Sequence, residues 1–66
     1  MDTGYSLAVS KRCLNWINEA FAALQELGML PEFKGVGREE LLNNWRKALF
    51  ALRDGIVDFR RELQKN

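Results

Sequence analysis

Residues 28–37, Gly28-Met29-Leu30-Pro31-Glu32-Phe33-Lys34-Gly35-Val36-Gly37, decide the fold. This stretch holds three of the five glycines and the only proline, and it parts two long runs with helical periodicity. Gly28 stands where a helix would end on a left-handed residue, and Pro31 blocks continuation, so the first helix is predicted to stop near Leu27. Its start is read at residue 4, with Thr3 and Ser6 as acceptable caps. Gly37 followed by Arg38-Glu39-Glu40 opens a second helix over 38–64, its acids complementing the positive end of the dipole. The expectation is one helical-hairpin domain over 1–66, all-α and antiparallel.

The second helix reads in heptads. Leu42, Leu49, Ile56 and Leu63 occupy position a, and Trp45, Leu52 and Phe59 occupy d, so the whole seam is apolar. Beside it the g column is Leu41, Ala48, Gly55, Glu62, and the e column is Arg46, Arg53, Arg60. Gly55 inside a helix costs about 1 kcal/mol relative to Ala. Either a neighbouring backbone approaches closely there, or the glycine marks a kink.

The first helix is apolar around more of its girth. With Ile17 and Leu24 at a, the d column is Cys13, Ala20, Leu27, and both flanks are apolar: Val9, Trp16, Ala23 at g and Leu14, Phe21 at e. Only the b and c columns, Lys11, Asn18, Gln25 and Arg12, Glu19, Glu26, are wet. One antiparallel neighbour covers a narrower stripe than this. Two hairpins pairing into a four-helix bundle would cover it, as a homodimer or with helices of another protein. The expected dimer core is Val9, Trp16, Ile17, Phe21 and Leu24 with Trp45, Leu49, Leu52, Ile56 and Phe59.

The composition supports the need for a partner. A chain of 66 residues hides only about 60% of its unfolded surface, and one cysteine with no histidine offers neither an internal disulfide nor a zinc staple. A net charge of +1 gives no global field for nucleic acid or anionic lipid. No apolar run is long enough for a membrane span, and residues 1–5 do not resemble a secretory leader. The cytoplasm, with Cys13 reduced, is the expected compartment.

Catalysis finds little to work with, since there is no histidine and the carboxylates fall on wet columns; no enzyme activity, cofactor or metal is expected. Asp54 and Asp58, one turn apart, read as a solvated face rather than a cation site. Cys13 reads as a small core residue, with a dimer-spanning disulfide as the other option. Gly35-Val36-Gly37 lacks the strand and the Gly-Lys-Ser/Thr end of a phosphate loop and reads as turn geometry.

Two surface features point to macromolecular partners. Arg46, Arg53 and Arg60, seven apart, could pair with Glu19 and Glu26 across a bundle rim, face an acidic protein, or grip a nucleic-acid backbone. Phe50 and Val57 lie outside the seam and read as a docking strip edged by Arg46, Arg53 and Arg61, or as sites covered by residues around Tyr5. Phe33 and Val36 are expected to plug the end of the bundle. The functional expectation is a small non-enzymatic protein-protein interaction module, an adaptor, inhibitor or accessory subunit. It would act as a helical dimer through Arg46, Phe50, Arg53, Val57 and Arg60. The alternative is a nucleic-acid-binding hairpin dimer that uses the arginine column.

Overall fold

The computed structural model describes residues 2–65. It contains two helices, α1 (Thr3–Met29) and α2 (Arg38–Gln64), packed against each other as an antiparallel hairpin. No strand occurs among the described residues. Each helix has 27 residues, and the hairpin measures 50 × 15 × 12 Å, so it is a single layer.

The ends of α1 are built differently from the sequence expectation. Asp2, not Thr3 or Ser6, caps the start: its Oδ1 accepts from the Tyr5 N–H at 3.2 Å, satisfying one of the orphan donors of the first turn. At the other end the helix runs through Gly28 to Met29, and Leu30 leaves it in extended conformation with its N–H donating to the Leu27 carbonyl at 3.1 Å. Gly28 is therefore no left-handed terminator. Its role is steric, because a Cβ there would lie 2.7 Å from Leu42 Cδ2, one of the two buried side chains of the apolar core.

The connection is tightened by backbone bonds. The Phe33 N–H donates to the Leu30 carbonyl at 3.0 Å, and the Arg38 N–H donates to the Gly35 carbonyl at 3.3 Å. Gly35 (φ 141°) and Gly37 (φ 82°) adopt positive φ, which explains why this loop needs glycines. Gly37 is the N-cap of α2 and offers no side chain to its amides, but Glu39 and Glu40 in the first turn and Arg61 in the last complement the dipole.

The helices meet through a register fixed by three cross-hairpin contacts. Gly28 lies against Leu42 near the loop, the Phe21 and Phe50 rings meet tilted at 49° with centroids 4.7 Å apart, and Arg60 reaches Ser10 at the open end. Ile17 (5% exposed) and Leu42 (6%) are the buried apolar residues, with Leu7, Leu14, Phe21, Leu24, Leu49, Ile56 and Leu63 partly covered around them. In heptad terms α2 turns its a and e columns to the seam, while α1 centres its a column there with d and e both partly covered. The a/d seam read from the sequence of α2 is not the one that faces α1.

Candidate functional site

This rotation of the seam relocates the arginine column. Arg46, Arg53 and Arg60 occupy e, and all three are partly covered. Arg60 Nη1 donates to the Leu7 carbonyl at 2.7 Å and to Ser10 Oγ at 2.8 Å, while the Ser10 hydroxyl, itself buried, donates to the same carbonyl at 2.9 Å. Arg53 lies with its Cζ 4.9 Å from the Phe50 ring centroid and 6.0 Å from that of Phe21. Arg46 donates to Asn43 Oδ1 at 3.3 Å and borders a groove beside the loop. Long aliphatic stems let arginine roof an apolar seam and keep its head wet.

Of the outward surface expected from the sequence, Arg53 and Arg60 also make contacts within the hairpin, whereas Arg46 reaches only Asn43 on its own helix and Phe50 stays 46% exposed. Phe50 packs tilted against Phe21, and Val57 is partly covered. The arginines do not pair with Glu19 or Glu26 either: among the described residues the ion pairs are Arg61–Asp58 at 3.4 Å and Lys65–Glu62 at 3.6 Å, both solvent-exposed. Removing the clamp by Arg60→Ala is expected to cost about 1 to 2 kcal/mol, since charge-assisted hydrogen bonds to a covered carbonyl and hydroxyl are lost. Urea denaturation checks this, and an unchanged midpoint would contradict it.

The displaced d and g columns form the surface of interest. At 100° per residue, d and g stand on one side of the a column, and antiparallel pairing puts like columns of both helices on the same side of the hairpin. The result is one continuous face. From α1 it receives Trp16 and Ala23, with Val9, Cys13, Ala20 and Leu27 partly covered along its inner border, and from α2 it receives Leu41, Trp45, Ala48, Leu52, Gly55 and Phe59, all exposed. Trp16 is 65% exposed, Leu52 53% and Phe59 52%, with Leu41 and Trp45 only slightly better covered. At its open end Tyr5, Ser6, Val9, Ser10, Cys13, Ile56 and Phe59 line a shallow apolar groove of about 300 Å³, where the two d columns come together.

No protein-family model, curated protein or solved structure matches this chain. The face itself is then the guide. Monomers rarely leave apolar patches of more than a few hundred Å² uncovered unless the patch binds something.

The ten residues expected in a dimer core divide between two roles. Ile17 is buried inside the hairpin, and Phe21, Leu24, Leu49 and Ile56 are partly covered along its seam, whereas Trp16, Trp45, Leu52 and Phe59 are exposed on the d/g face with Val9 at its border. Gly55 lies on that face too, with nothing within 4 Å of where a Cβ would stand, and α2 continues through it without a break. No close approach inside the chain explains it.

The remaining candidates separate cleanly. Cys13 is a free, partly covered thiol beside the groove. Asp58 pairs with Arg61, and no group of three or more metal-ligating side chains occurs among the described residues. Phe33 packs on Trp45 with centroids 6.0 Å apart and carries Arg38 at 5.4 Å, so it covers the loop end; Val36 is fully exposed and plugs nothing. Tyr5 is itself 65% exposed. No helix of the described residues is long and apolar enough to cross a membrane.

Proposed function

We propose that this chain is a small non-enzymatic protein-protein interaction module, an adaptor, inhibitor or accessory subunit, that acts by packing its d/g face against further helices to complete a four-helix bundle. The single observation that carries the reading is the continuity of that face, with two tryptophans, a leucine and a phenylalanine left at 41 to 65% exposure along both helices. Large aromatics aligned on one apolar surface are what helix-on-helix docking uses as anchors. The absence of histidine from the sequence and the wet setting of its carboxylates favour binding over catalysis. The composition suits a cytoplasmic setting with Cys13 as a thiol.

The nucleic-acid reading has less support, because Arg53 and Arg60, two of the three arginines that would hold phosphates, make contacts within the hairpin. Tryptophan emission tests the proposal without any variant, since Trp16 and Trp45 are the only two indoles and both lie on the face. Dilution should shift the emission to the red as the face becomes wet. An emission maximum independent of concentration and already that of exposed indole would contradict docking.

A further inference from the structure

We infer that the occupant of the d/g face is a second copy of this chain, joined about a twofold axis parallel to the helices so that each α1 lies on the partner's α2 and Trp16 seats over Gly55 of the partner subunit. The inference rests on the proposed role of the face and specifies what covers it.

Axial register supplies the first argument. Counting five residues from Phe21 toward the start of α1 and five from Phe50 toward the end of α2 arrives at Trp16 and Gly55. The most exposed bulky side chain of the face and its barest stretch of backbone are thus level with each other, on opposite helices, halfway along the hairpin. A twofold axis along the helices exchanges the α1 and α2 sides of the face and keeps every level, so the bump of one copy meets the hollow of the other without any sliding.

Neighbouring levels follow the same rule of large against small. The d column of α1 is Cys13, Ala20, Leu27 and that of α2 is Phe59, Leu52, Trp45, so each contact sets a smaller side chain against a larger one from the partner. At the rim, two residues inward from the Ser10/Arg60 contact, Arg12 comes level with Asp58 of the partner subunit, and Arg12 has no ion pair among the described residues. A twofold axis perpendicular to the helices would instead stack the large d column of α2 on itself and the small one of α1 on itself.

Area gives the third argument. A compact monomer of 7.6 kDa exposes about 4,300 Å². The hairpin exposes 5332 Å². The excess of roughly 1,000 Å² is what each partner contributes to a specific, stable interface.

A bump-and-hole exchange and a distance measurement test the arrangement. Gly55→Leu should raise the dimer dissociation constant at least about tenfold, because the new side chain occupies the seat of the partner's indole. Adding Trp16→Ala should recover most of that loss, a coupling that independent sites do not show. Spin labels on a Cys13→Ala/Val36→Cys variant should lie within about 25 Å of each other, both loops being at one end of a bundle with helices about 10 Å apart. A dimer whose labels are separated by about the 50 Å hairpin length, or one indifferent to Gly55→Leu, overturns this arrangement while the face remains a docking surface. A chain that stays monomeric at all concentrations overturns the second copy as the occupant.

Discussion

Leu52→Glu is expected to abolish assembly. Leu52 sits near the middle of the d/g face, and its 53% exposure in the hairpin means the substitution removes little packing within the chain. In a completed bundle the same position is covered, and a carboxylate there is desolvated with no partner cation at a cost of several kcal/mol. A symmetric assembly carries that cost twice. Sedimentation velocity of the variant should give a single species of chain mass, and its thermal midpoint should no longer rise with protein concentration as that of a folding-coupled assembly does. Undiminished assembly of this variant would move the interface elsewhere.

Ile17→Ala should act on the other layer of the structure. Ile17 is 5% exposed at the centre of the seam, where truncation of a buried aliphatic side chain costs about 2 to 5 kcal/mol. At roughly 0.05 to 0.15 kcal/mol per residue, a chain of 66 residues holds about 3 to 10 kcal/mol in total, so this one change removes much of the fold. Loss of helical circular dichroism at low micromolar concentration is the expected result. Lys47→Ala, on the exposed outer side of α2, serves as the control and should leave the melting curve within about 0.5 kcal/mol of the parent. Equal behaviour of the two variants would mean that the seam is misplaced.

The contrast between Ile17 and Leu52 also shows what a sequence can and cannot convey here. Residues 28–37 mark the connection by chemistry local to the chain, and the two helices follow from their periodicity. The excess apolar girth of α1 is equally legible, and it survives as the exposed Trp16 and Ala23. Which apolar column faces which neighbour is another matter. In α2 the a, d and part of the g columns are all apolar, and a wheel assigns no partner to any of them. Pairing a with d gives the neatest heptad, yet α2 turns a and e to its neighbour, because arginine stems cover a seam that their charged heads disguise as a rim.

Gly28 carries the same lesson at closer range. Its position before Met29-Leu30-Pro31 has the outward form of a helix stop, while its actual constraint is the Leu42 methyl group that a Cβ would strike. That constraint comes from a residue fourteen positions away and leaves no local mark. Asp2 was legible as a cap by its chemistry, just ahead of Thr3, since a carboxylate serves the first-turn amides as well as a hydroxyl does.

Sedimentation equilibrium of the purified chain across a wide concentration range tests the central claim most directly. The expected mass is twice that of the 7.6 kDa chain, reverting toward the single mass only with loss of helical signal or a red shift in tryptophan emission. A helical, cooperatively melting species of 7.6 kDa at every concentration, with its tryptophans as wet at high concentration as at low, would contradict it.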